Sequence, residues 1–331
     1  MFTLRMLVQR GSPKNFSEQE RMEKCNTSFA AFQVAFLPSA FGIEFLLAFC
    51  GNILALYLFI TREKTWHTGI IYSVNLAVSD LLYALSLPLL VIYYYNDKHW
   101  FFREGVCKLE RFLFNSNLYG SIFFITCMSL NRYLAIVHPM FAHGRIDPRH
   151  AKAISVAVWI LVAAICAPVF TFSTLESQGN TTECIGTAVD GRLQDYLPYS
   201  FFLACFGCGL PFLLTLASYI SVVRTVFKNE NITGLEKKKV AIMVIVVLAL
   251  YSVSFVPYHI LRNLNLYRRM HKLDYQPCKT WIHSAFQVTK VLVTLNMCVH
   301  PLLYTAVADS MRSICSCAQR KKPTRTTNGI M

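Results

Sequence analysis

Seven long apolar runs restrict the folds open to this sequence. About 20 mostly apolar residues suffice for a helix to cross a bilayer, and each run is at least that long. Composition agrees, because 54% of the residues are hydrophobic and 15% are charged, whereas soluble domains are about 25% charged. We therefore predict an all-α membrane protein, a bundle of seven transmembrane helices. The runs cover residues 36–61, 69–95, 106–137, 152–173, 196–227, 239–266 and 281–307.

The transmembrane domain, residues 36–307, leaves a short segment at each end. Residues 1–35 form a predicted extracellular tail. Its start, "MFTLRMLVQR", has too short an apolar stretch for a cleavable signal, so the first spanning helix is expected to direct insertion. In residues 308–331, "DSMRSICSCAQRKK" predicts a short amphipathic eighth helix on the membrane surface, followed by a cytoplasmic tail. Cys315 and Cys317 are candidate palmitoylation sites beside basic residues, with free thiols as the alternative.

The chain is strongly basic, with a formal net charge of +14. A basic chain first suggests nucleic-acid binding. Here the Lys and Arg residues are dispersed within and between the apolar runs and form no separate basic domain. We therefore expect membrane lipid, and no nucleic acid, as a partner.

Seven spans place the two termini on opposite sides of the membrane. Lys and Arg divide almost evenly between the sides, so the positive-inside rule does not decide the orientation. Glycosylation sequons at Asn15, Asn26 and Asn180 share one side, against Asn231 alone on the other. We predict an extracellular N-terminus, a cytoplasmic C-terminus and glycosylation at the first three sites. The cysteines outside the runs fall on the same, oxidising side: Cys25, Cys107, Cys184 and Cys278.

A series of short motifs occurs in a fixed order along the runs. They are "GN" at 51–52, "NLAVSD" ending at Asp80, "NRY" at 131–133, "FVPYH" at 255–259 and "HPLLY" at 300–304. With these motifs the chain resembles a rhodopsin-like (class A) G-protein-coupled receptor over nearly its whole length. Two further stretches, "CKLERFLFNSNLYGSIFFITCMSLNRYLAIVHP" and "VPYHILRNLNL", are similar to metabotropic purinergic receptors, nearest to the ATP-preferring subtype.

This resemblance implies a plasma-membrane receptor and no enzymatic activity. It implies extracellular nucleotide, ATP-like, as the ligand. It also implies signalling through heterotrimeric G proteins to phospholipase C and calcium, and to adenylyl cyclase. No cofactor is expected.

Three cations lie within the spanning runs near their predicted outer ends: Arg111, Arg262 and Lys290. A charge at the helix centre costs about 2.5–3.5 kcal/mol on insertion scales, so we expect all three to face one water-filled pocket. Their mutual repulsion favours a polyanion, and guanidinium groups suit phosphate. Aromatic groups on the same helix faces would stack on adenine, and amides would bind its polar edge. The candidate ligand-binding residues are Arg111, Phe114, Asn115, Tyr119, Tyr258, His259, Arg262, Gln287, Lys290 and Asp190.

Other interpretations of these cations remain open. Glu110 could neutralise Arg111 in an internal ion pair, and Asp190 or Asp195 could pair with Lys290. A dicarboxylate metabolite is the alternative ligand, since related receptors also use arginines at such positions.

Three further classes of protein fit the sequence less well. In an opsin the Schiff-base lysine lies seven residues before the proline of the seventh helix, whereas Lys290 lies eleven before Pro301. A transporter or channel would favour inverted repeats or a path of charges across the membrane, and neither is visible. A membrane enzyme needs a metal or nucleophile cluster, and the histidines are scattered over different runs.

Asp80 is a carboxylate near the bilayer centre, where an unpartnered charge is costly. The resemblance implies that it binds sodium with Ser121, Asn296 and the residue before the helix-seven proline. That residue is usually Asn or Asp, and here it is His300. We hypothesise that His300 pairs with Asp80 and weakens or replaces the ion. A neutral, hydrogen-bonded histidine is the alternative.

The triplet Asn131-Arg132-Tyr133 departs from the Asp/Glu-Arg-Tyr usual in the family. The resemblance implies that Arg132 contacts the G protein, and that Tyr219 and Tyr304 pair through water in the active state. Without the acidic neighbour, Arg132 is expected to be less restrained, and basal activity to be higher.

Two disulfides are implied by the resemblance. Cys107–Cys184 would join the third helix to the second outer loop, and Cys25–Cys278 would join the N-terminal tail to the third outer loop. The sequence alone allows three pairings of these four cysteines.

Overall fold

A computed structural model describes residues 13–63, 65–142, 147–179, 181–230, 232–271 and 281–319, without the side chains of 13–32, 178, 190, 281 and 305–319. Within these residues seven helices are long and apolar enough to cross a membrane, which confirms the predicted bundle. Helices satisfy every backbone polar group internally, as lipid requires. Their bounds are α1 Pro13–Arg62; α2 Thr68–Ala84 and Leu87–Tyr95; α3 Glu104–Val137; α4 Pro148–Cys166 and Val169–Phe172; α5 Leu193–Phe202, Leu203–Gly209 and Leu210–Lys228; α6 Gly234–Leu250, Tyr251–Phe255 and Val256–Met270; and α7 Trp281–Gln319.

Prolines mark the irregular points of four helices. Pro211 in α5 and Pro257 in α6 each follow a π-helical segment, Leu203–Gly209 and Tyr251–Phe255 respectively. Proline lacks the N–H of the helical ladder and its ring crowds the preceding turn, so the backbone changes its hydrogen-bonding pattern there. In α2 and α4 the interruption lies next to Pro88 and Pro168.

Local signals explain where α4 and α6 begin. Thr233 and Glu236 form a capping box, in which each side chain bonds the backbone N–H of the other residue. Asp147 caps α4 by accepting a hydrogen bond from the N–H of Arg149. A four-residue helix, Pro139–Ala142, follows α3.

A β-hairpin covers one end of the bundle, hereafter the hairpin end. Its antiparallel strands are β1, Thr174–Gln178, and β2, Thr181–Ile185. Cys184 in β2 is joined to Cys107 of α3, which confirms the first implied disulfide. The loop between α2 and α3 also holds the hairpin, since Lys98 Nζ lies 3.3 Å from a carboxylate oxygen of Glu183. No pattern in the sequence predicted these strands.

Polar side chains connect neighbouring helices inside the bundle. Asn52 of α1 donates to the carbonyl of Met297 in α7 at 3.0 Å, and Trp159 of α4 donates to Asn75 of α2 at 2.9 Å. Such bonds help helices associate in lipid, where burial of apolar surface provides no driving force. The outer faces are apolar and exposed, as on α1: Leu46, Leu47, Ile53, Leu54, Tyr57 and Ile60.

Several predictions concern the ends of the chain. One helix, Trp281–Gln319, includes the last described residues, so a separate eighth helix is not confirmed and the predicted domain limits stay predictions. Outside the described residues or side chains lie the Cys25–Cys278 disulfide, the glycosylation sites Asn15, Asn26 and Asn180, and the palmitoylation candidates Cys315 and Cys317.

Candidate ligand-binding site

A cavity of about 330 Å³ opens between the helices below the hairpin. All three predicted cations line it, from α3, α6 and α7 respectively: Arg111, Arg262 and Lys290. Phe114 and Tyr258 provide aromatic walls, with ring centroids 5.8 Å apart. The cavity is therefore cationic and aromatic, as the helix faces predicted.

Arg111 is held by protein groups on several sides. One terminal nitrogen lies 3.2 Å from a carboxylate oxygen of Glu110, and the other donates to the Cys184 carbonyl at 3.1 Å. Gly186, just after β2, leaves space for the side chain, because a Cβ there would lie 2.6 Å from Arg111 Cδ. The alternative of an internal ion pair thus applies to Arg111, although the residue still lines the cavity.

Arg262 is surrounded by phenols. Its guanidinium donates to the hydroxyl of Tyr196 on α5 and, at 3.4 Å, to that of Tyr119 on α3. It also lies 5.9 Å from the ring centroid of Tyr258, within range of a cation–π contact. Arg262 is only 2% exposed, and no carboxylate pairs with it among the described residues. Its positive charge is solvated by neutral groups rather than neutralised.

Lys290 has weaker contacts. Its Nζ lies 4.7 Å from the ring centroid of Phe286, one turn earlier on α7. Within the described part of the chain, Nζ has neither a hydrogen bond nor an ion pair. Asp195, described in full, forms no ion pair with it, and the side chain of Asp190 lies outside the description. Lys290 thus lines the cavity without a carboxylate partner in the described chain.

Two amide side chains on the cavity wall have an unused acceptor. Asn115 donates to the carbonyl of Arg111 at 2.7 Å, and the Gln287 amide nitrogen lies 3.2 Å from His283 Nε2. The carbonyl oxygens of both amides are buried and have no hydrogen-bond partner among the described residues. Buried polar atoms are seldom left unpaired. These oxygens suit a ligand that carries N–H donors.

Tyr119 and His259 lie outside the cavity wall, among the buried residues that support it. The Tyr119 hydroxyl is 3.2 Å from His259 Nε2, and His259 Nδ1 is 2.8 Å from the Phe255 carbonyl. Gly207 makes room for this layer, because a Cβ there would lie 2.6 Å from Tyr119 Cε1. Direct contact with a ligand stays a prediction for both residues, and in the structure Tyr119 supports Arg262 through its hydroxyl.

Sequence reasoning missed several groups at the cavity. Tyr196 bonds Arg262, and Lys98 and Glu183 line the wall as an ion pair. Tyr93 and Tyr94 come from α2. The run "VIYYY" was a usable signal for the last two, since tyrosine concentrates where an apolar helix meets a polar surface.

Comparisons with known proteins agree with this architecture. Residues 51–304 match the family model described as 7 transmembrane receptor (rhodopsin family). Purinoceptor 11 of Homo sapiens is 43% identical over 327 residues, which cover 92% of this chain and 86% of that protein. Purinoceptor 1 of Gallus gallus is 36% identical over 311 residues, covering 93% and 86% respectively. The chain belongs to the rhodopsin family of seven-transmembrane receptors, among the purinoceptors. It is therefore a multi-pass plasma-membrane receptor and not an enzyme.

Deeper in the receptor, Asp80 is fully buried and bonded through both carboxylate oxygens. Asn117 donates to Oδ1 at 2.9 Å, and His300 Nδ1 lies 2.8 Å from Oδ2. The Tyr304 hydroxyl is 3.5 Å from Oδ2. His300 therefore pairs with Asp80, as hypothesised, and the sodium site stays a prediction.

Of the other two residues implied for a sodium site, neither hydrogen-bonds Asp80 in the described chain. The Ser121 hydroxyl has no hydrogen-bond partner among the described residues. Asn296 accepts a hydrogen bond from Ser254 of α6 at 3.4 Å, and its amide nitrogen is unpartnered within the described chain.

At the end of the receptor opposite the hairpin, Arg132 is buried without an acidic partner in the described chain. It donates to the Tyr219 hydroxyl at 3.4 Å and contacts Met243 of α6. Asn131 instead accepts a hydrogen bond from Thr68 of α2 at 2.9 Å. Tyr133, next along the chain, lies with its hydroxyl 2.9 Å from His138 Nε2. Tyr219 and Tyr304 contact different partners, Arg132 and Asp80.

Proposed function

We propose that this receptor binds an extracellular nucleotide, preferably ATP, in the cavity below the hairpin. One observation carries the proposal: Arg262 and Lys290 line the same cavity, and neither pairs with a carboxylate in the described chain. Two such cations repel each other, so a polyanion is the ligand that relieves most of the cost. The purinoceptor names of the relatives support the same ligand class.

The proposed pose follows from the wall of the cavity. The phosphates would lie between Lys290 and Arg262, with Arg111 at their edge. Adenine would stack against Phe114 or Tyr258. Its exocyclic amine would donate to the unpartnered carbonyl oxygen of Asn115 or Gln287. Asp190 remains a predicted neighbour.

Ligand binding in this proposal shifts the population of receptor states toward one that engages a heterotrimeric G protein. Arg132 is the proposed G-protein contact at the opposite end. The hairpin end faces the outside and the C-terminus the cytoplasm. The disulfide at the hairpin end supports this orientation, since disulfides persist in oxidising compartments. Signalling to phospholipase C and calcium, and to adenylyl cyclase, completes the proposal.

The test uses the full chain in cells that lack other nucleotide receptors. Calcium and cyclic AMP are recorded with ATP, ADP, UTP and a series of dicarboxylates. We expect a response to a nucleotide. Lys290→Ala should raise the required concentration at least about thirtyfold, because it removes a charged hydrogen-bond donor.

The matched control is Lys108→Ala, which removes a lysine from the same end of the bundle. Lys108 pairs with Glu104 at the exposed surface, and the expected change is below about twofold. Surface expression is measured for each variant. A response to dicarboxylates and to no nucleotide would overturn the ligand assignment.

A further inference from the structure

Glu110 is a buried carboxylate directly beside the cationic cavity. It is 1% exposed, and its only ion pair in the described chain is with Arg111, at 3.2 Å. Neither carboxylate oxygen has a further hydrogen-bond partner among the described residues. Burial of a carboxylate with so little compensation is costly. Its position therefore calls for a role beyond packing.

The pair divides the three predicted cations, Arg111, Arg262 and Lys290, into two kinds. Arg111 is neutralised by Glu110 and fixed by the Cys184 carbonyl. Arg262 bonds phenols and Lys290 lies over a ring face, and neither forms an ion pair with a carboxylate among the described residues. Hence the number of uncompensated positive charges that the cavity offers depends on Glu110.

We infer that Glu110 is a specificity-determining residue, which sets how strongly the receptor discriminates among nucleotides by their number of phosphates. The inference rests on the proposed nucleotide-binding function. Coulomb energy scales with the product of the charges, so Glu110 repels a triphosphate more than a diphosphate, and a diphosphate more than a monophosphate. Glu110 thus reduces the affinity that each added phosphate contributes, and it holds the Arg111 guanidinium in an ion pair.

The test is Glu110→Gln, which keeps the shape of the side chain and removes its charge. Concentration–response curves are recorded with hydrolysis-resistant adenosine tri-, di- and monophosphates. We expect the variant to gain potency in the order of ligand charge, about tenfold for the triphosphate and less than about threefold for the monophosphate.

Glu104→Gln is the matched control. It removes the same charge from the start of the same helix, where Glu104 is exposed and paired with Lys108. We expect a change below about twofold for all three ligands. A uniform gain in both variants would mean that net receptor charge, and not the position of Glu110, is responsible.

A second comparison separates charge selectivity from loss of folding. Arg111→Gln leaves Glu110 buried without a counter-ion, and we expect a triphosphate potency loss of roughly a hundredfold. The double variant Glu110→Gln, Arg111→Gln has a neutral pair and should recover about tenfold of that loss. If Glu110→Gln alone fails to reach the cell surface, the comparison of the double variant with Arg111→Gln still tests the role of the Glu110 charge.

The inference is overturned if Glu110→Gln, at normal surface expression, leaves the ranking of the three ligands unchanged. It is equally overturned if the double variant is no better than Arg111→Gln. If the wild-type receptor gives no signalling response to any of the three nucleotides, the proposed function itself is contradicted, which is a different result.

Discussion

The cavity below the hairpin and the polar core around Asp80 both bury charge, but they compensate it differently. In the cavity, Arg262 and Lys290 face phenols and a ring and have no carboxylate partner in the described chain. In the core, both oxygens of Asp80 are bonded, by Asn117 and His300. A buried charge without a counter-ion is stabilised when a ligand of opposite charge binds beside it. A fully hydrogen-bonded network instead stabilises the receptor conformation in which its bonds are formed.

This difference predicts that the cavity and the polar core have different roles in signalling. Changes in the cavity should alter the concentration of agonist required, because they act on ligand contacts. Changes in the core and at Arg132 should alter signalling without ligand, because they act on the balance between receptor states. Single substitutions in each region, each paired with a control, can test this division.

The largest effect is expected from Arg262→Gln. It removes a buried guanidinium that contacts Tyr119 and Tyr196 and lines the cavity. We expect a potency loss of about a hundredfold for the agonist, since the variant loses charge-assisted bonds to phosphate. Arg103→Gln, an exposed arginine at the start of α3, should change potency by less than about twofold. Equal effects of both, measured as agonist concentration–response at matched surface expression, would contradict the role of Arg262.

Gly207→Ala tests the layer beneath the cavity. A Cβ at this position would lie 2.6 Å from Tyr119 Cε1, so the ring has to move and Arg262 loses its support. We expect agonist potency to fall about tenfold, within the usual cost of overpacking a core. Gly42→Ala is the control, since a Cβ there meets nothing within 4 Å. A Gly207→Ala receptor with unchanged agonist binding would show that the Tyr119 layer does not position Arg262.

Much of this fold follows from run length and hydropathy alone. Each predicted span corresponds to one of the helices, because only helices satisfy the backbone in lipid without partners. The hairpin does not follow, since strands such as Thr174–Gln178 are short and polar. Their pairing depends on the disulfide to α3 and on contacts with the loop after α2, neither of which has a local sequence pattern.

The site was predictable in a similar way. Helical periodicity placed Arg111, Arg262 and Lys290 on one cavity. It could not say which cation would be paired, because that depends on side-chain rotamers and on the approach of β2. It also gave no sign of Glu44 on α1, which is buried and accepts a 2.6 Å hydrogen bond from Thr294. Contacts between helices distant in sequence have no period to reveal them.

His300→Asn tests the polar core. We expect the change to remove the 2.8 Å contact with Asp80, freeing a carboxylate oxygen. Agonist binding should then become sensitive to sodium, and ligand-free signalling should change about threefold, within the range for one hydrogen bond. The measurements are agonist binding with sodium or an organic cation, and basal calcium. His150→Asn, at an exposed position on α4, is the control. If both properties stay as in the wild type, His300 has no part in setting the resting state.

The smallest effect is expected from Asn131→Asp. The substituted carboxylate would still accept the hydrogen bond of Thr68, now 2.9 Å from the Asn131 oxygen, and would place a negative charge beside Arg132. An added ion pair with this buried arginine loses much of its attraction to desolvation. It should therefore stabilise the resting state only modestly and lower basal signalling about twofold, with agonist potency nearly unchanged. Thr68→Val separates charge from hydrogen bonding, since it removes the Thr68 bond and adds no charge. Lower basal activity in Asn131→Asp and not in Thr68→Val would identify the missing acid as the cause. Unchanged basal activity in Asn131→Asp would mean that the Tyr219 and Met243 contacts already restrain Arg132.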